Sequence, residues 1–253
     1  MSSSLVGGIG FSRVVVYSHP AAPDGCRGGC PHMHAVTEEA YYVTRGRGTV
    51  ELHDQRLGFR TVSLEPGTYL DFQPGVLHRL VNEEGLELLA IMGNAGLAEA
   101  GDARIYFGQE ADNSPEWYAE LWSLPQRKGL PGALERRDHA VRAYMHLMKL
   151  WRENRSGYEK ELDRFVRKVL ETAAQKKADF LPFVEAGPLA AGRRAQGRLE
   201  AMPSPSGSSA VRYQPEEAQP GLGMCGLLYR LNEVHELSSM GIPDLRKRSC
   251  RSG

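Results

Sequence analysis

Four side chains of this 253-residue chain are suited to shared chemistry: His32, His34, Glu39 and His78. Successive side chains of an extended strand alternate faces, so His32 and His34 point the same way with roots about 7 Å apart. Two imidazoles placed so can converge on one cation, at metal–nitrogen distances of about 2.0–2.1 Å for zinc. Glu39, entering the next strand, can add a carboxylate oxygen. His78, just past the turn Gln73-Pro74-Gly75, can close the set. Three imidazoles and a carboxylate suit one divalent transition metal per chain, Fe, Mn, Ni, Cu or Zn, better than Mg or Ca, which prefer oxygen. If the ion is octahedral, four protein ligands leave two positions open for water, oxygen or a chelating substrate.

Two neighbours are candidate catalytic residues. Tyr41 shares strand parity with Glu39, as does Val43, so its phenol should face inward and could donate to a substrate. Cys30 shares parity with His32 and His34 if their strand extends that far, and could then face the pocket as a soft ligand or redox-active thiol; otherwise it is a loop cysteine without a role. Cys26 and Cys30 form C-x3-C with no second cysteine pair, which argues against a zinc ribbon. Asn82 is expected to secure a turn or strand. His19 and His53 are expected at the surface or in structural roles. Arg136, Arg137 and Arg142 are expected to form a solvated face.

The elements that must position these groups are short strands. Candidates run from Arg13 to Tyr17, Ala40 to Thr44, Gly48 to His53, Arg60 to Leu64, Thr68 to Phe72, His78 to Asn82 and Leu86 to Met92. Between them stand turn residues: Arg45-Gly46-Arg47-Gly48, Glu65-Pro66-Gly67, Gln73-Pro74-Gly75 and Glu83-Glu84-Gly85. Many short strands at close spacing predict a closed antiparallel sandwich or barrel over residues 1–110.

After Gly108 the period changes. Ser114, Pro115 and Glu116 read as N-cap, first helical position and first turn. Apolar residues at Leu134, Val141, Tyr144, Met145, Met148 and Trp151, and then at Tyr158, Leu162, Phe165, Val166, Val169 and Ala173, follow helical spacing. The reading is therefore mainly β, with about three α-helices over residues 111–185 that pack on the barrel or on a dimer partner. Residues 186–253, rich in Gly, Pro, Ser and Arg, read as a disordered tail with a basic end, Arg246-Lys247-Arg248.

Composition bounds the function. Hydrophobic residues make up 41%, enough for a core, and 31 basic residues balance 31 acidic ones. That balance gives no electrostatic case for nucleic acid or an anionic membrane as the main partner. Four scattered cysteines argue against a disulfide framework and for a reducing, cytoplasmic setting. The first ten residues do not read as a signal peptide, and no run approaches the roughly 18 apolar residues of a transmembrane helix.

The spacing of these residues resembles the two motifs of the cupin superfamily. In the first, H-x-H is followed after three or four residues by E, and after six more by G; here these are His32, His34, Glu39 and Gly46. The second, G, five residues, P-x-G-x-x-H-x-x-x-N, is followed by Gly67, Gly75, His78 and Asn82, with Gln73 in place of the motif proline and Pro74 beside it. The six-residue gap to Gly46 favours Glu39 over Glu38. The resemblance implies a jelly-roll β-barrel with the metal in its mouth and, frequently, a homodimer. It further implies a small-molecule substrate or ligand.

Two chemistries are compatible with such a site, and the resemblance implies both. A substrate held at the open positions beside oxygen would make the protein a non-haem dioxygenase, the reading the ligand set favours. Polarisation of a carbonyl would make it an isomerase, lyase or epimerase of carbonyl or sugar-like substrates. A non-catalytic metal- or small-molecule-binding module is the alternative outside enzymology. A transcriptional regulator is disfavoured by the neutral charge and the lack of a helix-turn-helix pattern.

Overall fold

The computed structural model of the chain describes residues 5–203, 211–214, 217–231 and 234–236. The barrel strands are β1 (Gly10–Val16), β2 (His32–His34), β3 (Glu39–Asp54), β4 (Gly58–Leu64), β5 (Tyr69–Phe72), β6 (Leu77–Met92) and β7 (Ala103–Ile105). Two of them, β3 and β6, are long, antiparallel to each other, and shared by both layers. Their outer halves, Glu39–Arg45 against Glu87–Met92, lie in a layer with β5 on one side and β1 on the other. Their other halves, Gly48–His53 against Leu77–Asn82, lie in a layer with β4 on one side and β2 and β7 on the other.

The bend between layers falls where the sequence predicts turns. Arg45–Gly48 and Glu83–Gly85 do not end strands. They face each other across the β3–β6 pair, with register shifts at Arg45 and Arg47, and so form one corner of the barrel. Gly46 makes that corner possible: its φ is 72°, and a side chain there would run into the carbonyl oxygens of Glu84 and Gly85. Seven separate short strands thus become fewer, longer, bent ones.

Along β3 the expected alternation holds. Glu39, Tyr41 and Val43 are buried, and Tyr42 and Thr44 are exposed. Tyr41 and Val43 join Val14, Val16, Val50, Leu52, Leu64, Leu80, Leu86 and Leu88 in one apolar core. Burying each such side chain contributes about 1.5–3 kcal/mol.

The helices are more extensive than expected, and the fold is mixed α/β. They are α1 (Gln109–Asp112), α2 (Pro115–Trp122), α3 (Leu124–Glu153), α4 (Arg155–Ala174), α5 (Lys177–Val184) and α6 (Ala190–Glu200). Ser114 caps α2 as expected, its Oγ accepting from the Trp117 N–H. Pro125 and Pro131 sit near breaks that the chain absorbs, because Gly129 takes φ +63° and lets the first turn of α3 swing away from the rest. Tyr144 and Leu147 of α3 and Tyr158, Leu162, Phe165 and Val169 of α4 pack against Met33 of β2 and Leu77 of β6. The helical segment therefore docks on the barrel of its own chain.

Helical structure continues past residue 186 to Glu200, and among the described residues four more strands follow: β8 (Arg212–Tyr213), β9 (Gly221–Leu222), β10 (Gly226–Arg230) and β11 (His235–Glu236). β10 pairs antiparallel with β1, Val14 opposite Leu228, and extends the outer layer. The remainder of the expected tail, including its basic end, lies outside the described residues.

Candidate metal centre

His32 and His78 stand directly opposite each other on β2 and β6. His34 follows two residues along β2, and Glu39 opens β3. All four side chains are buried, and one ligand atom from each lies within 4.8 Å of the others. The closest approaches are 3.0 Å between the Nε2 atoms of His32 and His78, 3.2 Å from His78 Nε2 to Glu39 Oε2, and 3.4 Å from His34 Nε2 to the same oxygen. Two ligands about 2.1 Å from a shared ion and at right angles stand about 3.0 Å apart, so these separations suit one small cation.

The outward nitrogens fix how the rings present themselves. His32 Nδ1 lies 3.0 Å from the Cys30 carbonyl oxygen, and His78 Nδ1 lies 3.1 Å from that of Val76. A carbonyl only accepts, so both Nδ1 atoms carry a proton, and in the neutral form of each ring the Nε2 atom is a bare lone pair. Two bare lone pairs facing each other at 3.0 Å repel unless a cation stands between them. His34 Nδ1 is held the same way, 3.0 Å from Asp102 Oδ2. Glu39 Oε2 is buried without an aligned hydrogen-bond donor. The residues fit a bound metal ion on this chemistry.

Burial and mutual charge act together on the clustered residues. Burial alone would raise the Glu39 pKa, but its imidazole neighbours His78 and His34 outweigh that and hold it well below the usual range. Burial drives the His32 pKa well below its ordinary value, aided by His78 and His34. Burial acts in the same sense on His34, but Asp102 and Glu39 outweigh it and raise that pKa to about 9.

Asp102 was not among the expected site residues. It ends an irregular helical turn, Ala98–Asp102, and also accepts from the backbone N–H groups of Ala35, Val36 and Thr37. It therefore fixes both the His34 ring and the loop leading to Glu39. No motif spacing points to it; a lone aspartate far along the chain gives no signal.

Of the two candidate catalytic residues, Tyr41 is fully buried beside the cluster, its ring 6.5 Å from that of His78 and its hydroxyl without an aligned partner. Burial first, and then the Glu39 charge, push its pKa well above the usual value, so the phenol keeps its proton. Cys30 is placed differently. β2 begins at His32, so strand parity does not carry back to it, and its thiol packs with Ile105, Phe107, Ala111 and Ala140. Burial raises its pKa. Glu38 is exposed, and Glu39 is the carboxylate of the cluster. Asn82 ties strands together, donating to Val16 O and accepting from Leu86 N–H.

A cavity of about 320 Å³ opens onto His32, His34 and Glu39. Its far wall comes from outside the barrel strands: Trp122, Gln126 and Arg136 from the helical segment, and Met224 and Cys225 from the turn before β10. The Cys225 thiol is buried, and burial pushes its pKa up to about 12. The solvated face expected for the arginines is corrected here. Arg142 is exposed, but Arg136 and Arg137 are 3% and 0% exposed.

Residues 21–92 match the family model described as "Cupin domain". No curated protein matches the chain. Among solved structures, protein NMB1881 from Neisseria meningitidis is 18% identical, with 34% of this chain and 73% of that chain covered and a TM-score of 0.26. WlaRA, the TDP-fucose-3,4-ketoisomerase of Campylobacter jejuni, is 10% identical, with 44% and 71% covered and a TM-score of 0.31. PAC13 from Streptomyces, solved with uridine, is 15% identical, with 40% and 69% covered and a TM-score of 0.29. All four clustered ligands lie inside the segment that matches the family model, while Asp102, Arg136 and Cys225 lie beyond it. Residues 21–92 thus carry a cupin domain.

Proposed function

We propose that His32, His34, Glu39 and His78 hold one divalent transition metal and that the protein uses it to transform a small organic molecule bound in the adjoining cavity. The observation that carries this reading is the pair of bare Nε2 atoms of His32 and His78, 3.0 Å apart in a buried site, beside an unpartnered Glu39 oxygen. A redox-active divalent ion held there would supply Lewis-acid and electron-transfer chemistry to a substrate and dioxygen. The chain's own residues do the rest. The Cys30 and Val76 carbonyls and Asp102 orient the rings, Tyr41 holds a proton near Glu39, and the apolar wall of Trp122 and Met224 excludes water.

Oxidation is favoured over isomerisation by what lines the cavity. Its carboxylates among the described residues are Glu39, committed to the cluster, and Glu99, paired with Arg230 at 3.0 Å. Neither is a free base for moving a proton between carbons. We therefore assign a non-haem dioxygenase-type reaction, and a homodimer as the working assembly on the family resemblance.

Elemental analysis of protein purified without added metal tests the site. The wild type should carry close to one transition-metal ion per chain, and His32→Ala and Glu39→Ala should carry little. Equal metal content in all three would sink the assignment. Oxygen uptake by the iron-loaded protein with catechols, diketones and thiols tests the reaction, and turnover should vanish in His78→Ala. Conversion of a carbonyl substrate without oxygen uptake would establish the isomerase reading instead. Sedimentation at several concentrations tests the dimer.

A further inference from the structure

Four arginines are buried among the described residues: Arg79, Arg104, Arg136 and Arg137. Three have a carboxylate partner. Arg79 meets Asp24 at 2.5 Å, Arg104 meets Asp112 at 2.6 Å, and Arg137 meets Asp138 at 2.7 Å. Burial of a guanidinium is costly without such a partner, so this pairing is the rule. Arg136 departs from it.

Only 3% of Arg136 is exposed, and no ion pair to a described carboxylate accompanies it. Its Nη2 donates to the Gly223 carbonyl at 2.7 Å, its guanidinium lies 5.8 Å from the Trp122 ring centre, and its Nε–H is buried without an acceptor. The Cys30 thiol hydrogen-bonds with its guanidinium, and the Cys225 thiol and the Tyr17 phenol lie within reach of its charge. None of these offsets it, because all three groups are held neutral. Arg136 also lines the cavity onto which the cluster opens. A buried cation with a free N–H, walled by sulfur, aromatic rings and neutral polar groups, lacks an anion.

We propose that Arg136 is the binding residue for the anionic group of the substrate, a carboxylate, and that the substrate is a small organic acid held by its carboxylate at Arg136 with its reacting oxygens towards the cluster. The identity of the reacting end rests on the metal reading above; the anion subsite does not. A carboxylate fits better than a phosphate dianion, because one guanidinium, already donating through Nη2 to Gly223, balances a single negative charge. The cavity volume of about 320 Å³ sits at the small end of ligand pockets and suits a compact acid.

The probe is trifluoroacetate, followed by fluorine NMR on the full-length protein as purified, with trifluoroacetamide as its neutral counterpart. Trifluoroacetate should bind saturably and the amide should not. In Arg136→Met the dissociation constant should rise at least ten-fold, and Arg136→Lys should recover part of the loss. His32→Ala, which removes a metal ligand, should leave trifluoroacetate binding in place. Equal binding of acid and amide would overturn the proposal, and that comparison needs no variant to fold. Binding unchanged in Arg136→Met but lost in His32→Ala would also overturn it, placing the anion on the metal. Metal content of the same samples reads the metal assignment independently, so either can fail alone.

Discussion

At the scale of single residues, the site depends on groups that hold the ligands as much as on the ligands. Asp102 accepts from His34 Nδ1 and from three consecutive backbone N–H groups, so it sets the ring's tautomer and the approach to Glu39. Loss of such a support costs roughly 10–100-fold in metal affinity. Asp102→Asn is expected to weaken metal binding within that range in a chelator competition, and Glu38→Gln, on an exposed neighbour, is expected to leave it unchanged. An unaltered affinity in Asp102→Asn would show that the aspartate serves only the loop. The clustering of His32, His34, Glu39 and His78 was legible from their spacing, because a fixed strand period and two turns leave few arrangements for H-x-H, Glu and a later His. Asp102 and Arg136 were not. Their roles come from non-local packing, and an isolated Asp or Arg in the sequence looks like any solvated charge.

Among the elements, the β9–β10 segment matters most to the site. Gly226 lies against β1 so closely that a side chain there would meet the Val15 carbonyl and the Val16 Cα. Gly226→Val is expected to part β10 from β1 and lower the melting temperature by several degrees, since overpacking costs about 1–3 kcal/mol and each is worth about 2–4 °C in a chain of this size. It should also speed proteolysis between α6 and β10 while leaving metal content intact. Melting and cleavage identical to wild type would refute the pairing as a stabilising contact. β1, β3 to β6 and the cap of α2 were readable from alternation and from Ser114-Pro115, whereas β7 was not. β10 escaped because Gly226–Arg230 is five residues long with no sustained period, and its reason to be extended is the open edge of β1. α6 escaped for a related reason: it buries no residue, so no apolar stripe announces it.

For the molecule as a whole, barrel and helices meet at a buried histidine. His53, from β3, lies between the hydroxyls of Tyr144 on α3 and Tyr158 on α4, at 2.8 and 3.0 Å. Burial lowers its pKa to about 3. Below the unfolded value of about 6.5 the unfolded chain takes up a proton that the native seam refuses. Stability should therefore fall as pH drops from about 6.5 towards 3, with His53 contributing up to about 1.4 kcal/mol per pH unit. Melting curves of wild type and His53→Gln across that range should converge as the pH falls; parallel curves would remove His53 from the acid response. That a barrel precedes a helical region was plain from the change of period after Gly108. How the two lock was hidden, because a lone histidine in a strand carries no sign of what it faces. The β1–β10 pairing has one more consequence. During synthesis every residue of the metal cluster and its Asp102 support has emerged long before Met224 and Cys225 arrive to wall the cavity. A nascent chain therefore holds the cluster before it holds the enclosure, and under the proposed function the order of translation would leave an ion an open door that the finished sheet closes.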